Sequence, residues 1–213
     1  MRFALVSTVA NVGQVLLAHL AAVAAPELAR VAAAWAVVDP SIVAPSVVVR
    51  AGVSALIDGD TPIVFVPALD QPLDLAYHTI AGTQPYALVL STQSEDEITQ
   101  GAFHEMAETV VDAMTNGYIG GIALEVCDPV QNDPLTRDGV LLSAWVTPAW
   151  FGIGEGPSAV SDEGFDLAPG ALRPGGYKMN EDGSQEPPGY RRKTHPSSRA
   201  ARREAARVAR CSA

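Results

Sequence analysis

The 213-residue chain is poor in cysteine, in aromatic residues and in charge, and each shortage excludes a class of protein. Two cysteines, Cys127 and Cys211, are too few for a disulfide-stapled secreted domain, and neither lies in a CxxC pair typical of metal or redox sites. Aromatic residues make up 6% and charged residues 18%, whereas 48% of the residues are hydrophobic. This composition excludes a disordered or fibrous chain and predicts a core built mainly of Ala, Val and Leu.

Basic residues are scarce except at the C-terminus. Eight of the 14 Lys and Arg residues lie in 191–213, together with one of the 24 acidic residues, Glu204. We therefore divide the chain into a domain at 1–180 and a linker with a basic tail at 181–213. The tail has no Phe, Tyr or Trp to stack on bases, so any binding to nucleic acid would be non-specific. We expect it to dock onto a neighbouring protein instead.

The N-terminal segment imitates a secretory signal because Arg2 precedes a long apolar stretch. Asn11, Gln14 and His19 interrupt that stretch before it reaches the ~18 apolar residues that a membrane span requires. Its apolar residues also recur at helical spacing and continue past Pro26. The pattern favours a buried helix of the domain over a signal peptide, and no membrane association is expected.

Hydrophobic periodicity and turn signals predict an α+β fold with a small mixed sheet packed against two helices. Further strands are expected after the second helix, separated by a polar turn at 128–138, and 180–198 has the composition of a linker. The predicted strands are Phe3–Ser7, Val47–Arg50, Pro62–Val66, Tyr86–Ser91, Ile119–Val126 and Gly139–Val146, and the predicted helices are Val12–Trp35, bent or divided at Pro26, Ser94–Met114 and a short basic one at Arg199–Arg210.

The helix that begins near Ser94 carries an HExxE pattern at His104, Glu105 and Glu108. Residues four apart on a helix differ by about 40° around the axis and ~6 Å along it, so His104 and Glu108 can converge on one ion. The related HExxH pattern binds zinc, with the intervening Glu as general base, and a carboxylate can replace the second His. Glu105 would then activate water beside the metal. A solvated face of an acidic helix is the other interpretation.

A metal site needs at least a third ligand, which the sequence offers in two places. Asp128 and Glu125 follow the next predicted strand, and we prefer Asp128, although an Asp-Pro step is also an ordinary turn. Asp112 lies on the same helix but ~12 Å along the axis from His104, so it is at most an outer partner. His78 is either a site residue or a structural histidine beside a tyrosine, and Cys127 is interpreted as a small core residue.

The order of these motifs resembles a family of small, uncharacterised zincin-like proteins encoded by bacteriophages and bacteria. Members read close to SHExxExxxDP, then E-V-x-D, then VSxFVxPxWF and a PGGY segment. Here the corresponding residues are 103–113, Glu125–Asp128, 142–151 and Pro174–Tyr177, and the resemblance covers about residues 10–180. Ala113 stands where the family has Pro, which lets the helix continue and weakens Asp112 as a ligand.

The resemblance implies a zincin-like fold and one of two functions. The first is a zinc-dependent peptidase or related hydrolase, and the second is a capsid or tail accessory protein of a phage particle with a structural or vestigial metal site. The carboxylate-rich donor set leaves calcium as an alternative to zinc. Other phage structural proteins would be the partners of the basic tail, and the expected location is the virion or the host cytoplasm.

Overall fold

The computed structural model describes residues 1–69 and 75–187, which form a mixed α+β fold around a five-stranded sheet. The strand order is β2-β1-β3-β5-β4, and only β4 runs antiparallel to its neighbour. The α+β prediction is confirmed. The strands of this sheet are β1 (Arg2–Ser7), β2 (Ser46–Val49), β3 (Asp60–Val66), β4 (Ala76–Ala81) and β5 (Gln84–Leu90).

Two long helices pack together with one face of the sheet: α1 (Gln14–Trp35), which connects β1 to β2, and α2 (Glu95–Val111), which follows β5. Alternation along β1 explains the layering, because Phe3 and Leu5 belong to the core cluster that includes both helices. Ala4 and Val6 belong to a second, smaller cluster with the other side of the sheet. The carboxyl end of β5 thus leads directly into the helix that carries the HExxE pattern.

Helix α1 is a single helix that continues through Pro26. By length and composition it could cross a membrane, a test that the core helix of a soluble protein also passes. In the fold its apolar side is packed in the core: Leu17, Leu20, Leu28 and Trp35 are fully buried. The structure therefore agrees with the predicted core helix, and of the two alternatives at Pro26 the division into two helices is wrong.

The strand predicted at Ile119–Val126 is wrong. The chain instead forms a short hairpin of β6 (Tyr118–Ile119) and β7 (Ile122–Ala123) around Gly120 and Gly121. Both glycines have positive φ, 58° and 80°, a conformation that glycine adopts without steric cost. The turn at these two glycines therefore divides the apolar run, which would otherwise favour a single strand.

The polar turn predicted at 128–138 also contains more structure than expected. Strand β8 (Pro134–Arg137) pairs with β9 (Val140–Ser143) through a turn at Asp138-Gly139, where both φ values are positive as in a type I′ hairpin. The predicted strand Gly139–Val146 divides at Ala144, and its second part, β10 (Trp145–Val146), pairs with β11 (Ala159–Val160).

The last described segment forms one more hairpin, of β12 (Lys178–Met179) and β13 (Gln185–Glu186). The predicted linker begins at residue 181, but part of 181–187 forms a strand of this hairpin. The predicted helix at Arg199–Arg210 and the basic tail lie outside the described residues.

The N-terminus of α2 has the capping box that the sequence predicts. The Ser94 hydroxyl accepts a hydrogen bond from the Glu97 amide at 3.3 Å, and the Glu97 carboxylate accepts one from the Ser94 amide at 3.0 Å. Three acidic residues in the first turn complement the positive end of the helix dipole. Local signals therefore set where this helix begins and, with it, the register of the HExxE residues.

Replacing Ser94 by Ala should lower the free energy of unfolding by about 1 kcal/mol, because it removes the hydroxyl that caps the Glu97 amide and holds the Glu97 carboxylate. Urea denaturation followed by circular dichroism measures the change. Ser54→Ala is a matched control, since Ser54 is exposed in a short 3₁₀ turn, and its effect should stay within about 0.5 kcal/mol. Equal losses in the two variants would contradict the role of the capping box.

Candidate metal centre

The three HExxE residues of α2 are buried inside the fold. The exposed fractions of the His104, Glu105 and Glu108 side chains are 9%, 2% and 0%. The interpretation of this pattern as a solvated helix face is therefore wrong. Burying ionisable groups in this way costs free energy unless they are paired with each other or with an ion.

His104 faces two carboxylates through one ring nitrogen. Its Nε2 atom lies 3.0 Å from Oε1 of Glu108, one helical turn later, and 3.1 Å from Oδ1 of Asp128. Asp128 is fully buried and lies in a 3₁₀ turn, Asp128–Val130, rather than after a strand as predicted. The preferred third ligand thus reaches His104 from a turn that packs across the helix.

The second ring nitrogen of His104 has a hydroxyl partner. Nδ1 lies 3.4 Å from Oγ of Ser143, and the same hydroxyl lies 3.1 Å from the carbonyl oxygen of Ala144. In the tautomer with a proton on Nδ1, this nitrogen donates to Ser143 and the Nε2 lone pair can bind a metal ion. An outer partner of this kind is usual for the histidine ligands of metal sites.

His78 enters the same cluster from the edge strand β4. Its Nδ1 atom lies 2.9 Å from Oε2 of Glu105 and 3.4 Å from Oε2 of Glu108. Strand β4 was not predicted, although Ala76, His78 and Ile80 alternate with Tyr77 and Thr79 as strand residues do.

Burial would lower the pKa of His78, but its acidic neighbours outweigh that effect. The charge of Glu125 and hydrogen bonds with Glu105 and Glu108 raise the pKa of the imidazole well above its ordinary value. These acidic neighbours therefore favour the protonated imidazole. The same field that retains this proton also attracts other cations to the cluster.

Within residues 1–69 and 75–187, three overlapping groups of side chains have ligand atoms within 4.8 Å of one another, and Glu108 belongs to all three. One group adds His104 and Cys127, another His78 and Glu105, and the third Glu125 and Asp128. Cys127 is buried among apolar residues, as predicted, but its thiol also lies beside His104 and Glu108. Both candidate third ligands, Asp128 and Glu125, thus join the cluster.

Asp112 does not join these groups. It is the C-cap residue of α2, which ends at Val111, three residues earlier than predicted, and its carboxylate accepts a hydrogen bond of 2.6 Å from the Gly117 amide. That bond satisfies a backbone donor in the loop after the helix, so the contribution of Asp112 is to the loop.

Comparisons with known proteins add no relative to this picture. No family model, no curated protein and no solved structure matches the chain. The resemblance to the phage family therefore stays a prediction, and the function has to be argued from the cluster itself.

The PGGY segment holds the turn that carries Asp128. The Tyr177 amide donates to the carbonyl of Asp128 at 3.1 Å, and the Arg173 amide donates to the carbonyl of Pro129 at the same distance. Gly176 packs so closely that a Cβ atom there would lie 2.6 Å from the carbonyl carbon of Pro129. A motif without any metal-binding side chain thus positions one of the candidate ligands.

Sequence reasoning missed Ser143 and Gly176. The signal for Ser143 is a single hydroxyl at the end of the apolar run Val140–Leu142, where a buried polar group must find a partner. Gly176 gave no signal beyond its place in the motif, because its close approach to the Asp128 turn is a contact between distant parts of the chain.

Proposed function

We propose that the protein is a metal-dependent hydrolase of zincin-like type that cleaves peptide bonds. One observation carries the proposal: Nε2 of His104 converges with the carboxylates of Glu108 and Asp128 at 3.0 and 3.1 Å inside the fold. A nitrogen and two carboxylates at these distances need a cation between them, either a proton on Nε2 or a metal ion that replaces it. These three side chains would hold the ion.

The spacing and chemistry of the donors fit zinc. Two ligand atoms that each lie about 2.1 Å from a tetrahedral zinc ion are about 3.4 Å apart, close to the separations in the cluster. The two imidazoles and the adjacent Cys127 thiol favour zinc over calcium, which takes six to eight oxygen ligands.

Each residue has a part in the hydrolysis. A zinc ion held by these side chains would supply Lewis acidity to the attacking water and to the scissile carbonyl. Glu105, adjacent to His104 on the helix, would accept the proton of the attacking water and pass it to the leaving amine. His78 orients the Glu105 carboxylate through the hydrogen bond at 2.9 Å, and Ser143 orients His104.

The degree of burial favours a second candidate, a structural metal site, as in the phage structural protein that the resemblance implies. The side chains of His78, His104, Glu105, Glu108 and Asp128 are each at most 9% exposed. Structural zinc sites are closed in this way, whereas a peptidase has to admit a polypeptide to the metal. A capsid or tail accessory protein would use the ion to stabilise its fold, in the virion rather than as an enzyme of the host cytoplasm.

Casein hydrolysis combined with elemental analysis tests the proposal. The wild-type protein should contain zinc and cleave casein, and chelation should abolish the cleavage. Glu105→Gln should keep at least one ion but lose activity by about 10²–10⁴-fold, the usual worth of a general base. Glu155→Gln, an exposed acid in a loop, is the control and should change neither property.

Two results would overturn the proposal in different ways. Folded, metal-loaded protein without turnover would favour the structural role in a particle. Wild-type protein that contains no metal and takes up none would exclude both the hydrolase and the structural metal site.

A further inference from the structure

The two oxygens of the Glu108 carboxylate face different histidines. Oε1 lies 3.0 Å from Nε2 of His104, and Oε2 lies 3.4 Å from Nδ1 of His78. The histidines belong to separate elements, His104 to α2 and His78 to strand β4. The buried Glu108 carboxylate therefore lies between two imidazoles, with one oxygen facing each ring.

Further carboxylates accompany each histidine. Asp128 lies 3.1 Å from the ring of His104, on the Oε1 side of Glu108, and Glu105 lies 2.9 Å from the ring of His78, on the Oε2 side. Glu125 is near both, because its ligand atom lies within 4.8 Å of those of Glu108 and Asp128 and its charge acts on His78. The single-ion site of the proposed function uses only half of these donors.

We propose that the cluster holds two divalent cations bridged by the carboxylate of Glu108. His104, Asp128 and Oε1 of Glu108 bind the first ion, and His78, Glu105 and Oε2 of Glu108 bind the second, with Glu125 able to reach either. The inference rests on the proposed metal binding and extends it from one ion to two. In two-metal hydrolases the ions lie ~3.5–4 Å apart, a spacing that a shared carboxylate allows.

The excess of carboxylates also favours a second cation. Four acidic side chains, Glu105, Glu108, Glu125 and Asp128, meet two histidines in this cluster. Burying acidic groups costs free energy unless cations accompany them. A second ion beside His78 and Glu105 would add positive charge to the half of the cluster that the first ion does not reach.

A second ion would change the role of Glu105. If Glu105 is a ligand, its carboxylate cannot be the main proton acceptor. The two ions together would instead supply the hydroxide by lowering the pKa of a water molecule between them. With one ion, Glu105 is a base oriented by His78 and neither residue affects metal content. His78 therefore binds a metal ion in the two-ion arrangement, whereas it only orients Glu105 in the one-ion arrangement.

Metal stoichiometry decides between them. Full-length protein stripped with chelator is titrated with Zn²⁺ by calorimetry, and the bound zinc is counted by elemental analysis after gel filtration. We expect two ions per chain in the wild type and one in His78→Gln. His19→Gln, an exposed histidine on α1, is the matched control and should retain two.

The wild type alone provides a second readout that does not depend on the folding of a variant. Loaded with Mn²⁺, a bridged pair should give the spin-coupled electron paramagnetic resonance signal of a binuclear centre, while a single ion gives the isolated six-line signal. If the wild type binds one zinc per chain and His78→Gln binds the same amount, the second ion is overturned and the proposed function stands. Two ions in both wild type and His78→Gln would overturn the assignment of His78, and no bound metal would overturn the proposed function as well.

Discussion

Glu108→Gln should abolish metal binding more completely than any other single substitution in the cluster. Glu108 is the residue common to all three groups of candidate ligands, and both of its oxygens face a histidine. An amide has one acceptor oxygen and no charge, so it can neither neutralise the ion nor bridge two positions. Elemental analysis should find less than a tenth of the wild-type metal content.

The same substitution should lower stability far more with metal than without it. At a zinc concentration about 1,000 times the dissociation constant, binding stabilises the wild type by about 4 kcal/mol, which corresponds to a melting temperature higher by roughly 8–16 °C at this chain length. The variant forfeits that stabilisation. In excess chelator it loses only the contacts of Glu108 with the two histidines, and each histidine keeps a second carboxylate partner.

Differential scanning calorimetry in zinc and in chelator measures both effects, with Glu155→Gln as the exposed control. If Glu108→Gln destabilises the protein equally under both conditions, the carboxylate has a structural role in the metal-free fold, and the assignment as the central ligand is wrong.

The parts of the fold that could be predicted depend on neighbouring residues in the sequence. The start of α2 follows from Ser94 and Glu97, which close the capping box within one turn, and the strands β1 and β3 follow from short apolar runs. The segment after α2 was predicted poorly, because its hairpins are set by positive-φ turns at Gly120-Gly121 and Asp138-Gly139. Those turns divide apolar runs that otherwise read as single strands.

The candidate site shows the same division between local and distant contacts. His104, Glu105 and Glu108 share a helix, so helical spacing alone predicted that they would lie together. Asp128 could be named from its position after the next apolar run, but its route to the site, a 3₁₀ turn, could not. The role of His78 remained undecided, because no pattern among its sequence neighbours shows that an edge strand will place its ring against α2.

The dependence of the site on distant backbone contacts leads to the second large effect, at Gly176. Gly176→Ala should destabilise the protein by about 1–3 kcal/mol or more and weaken metal binding, although this residue carries no ligand. The new Cβ atom would lie 2.6 Å from the carbonyl carbon of Pro129 and 3.1 Å from the carbonyl oxygen of Asp128. Backbone cannot move aside as the end of a side chain can, so the PGGY segment and the Asp128 turn have to separate.

Separation would break the hydrogen bond from the Tyr177 amide to Asp128 and move the Asp128 carboxylate away from His104. Gly52→Ala is the matched control, because the space around Gly52 is open and its φ of 174° is extended backbone that alanine adopts freely. Zinc titration calorimetry and urea denaturation of both variants should therefore show weaker binding and lower stability in Gly176→Ala alone. Unchanged zinc affinity in a destabilised Gly176→Ala would mean that the PGGY segment supports the fold without positioning Asp128 for the ion.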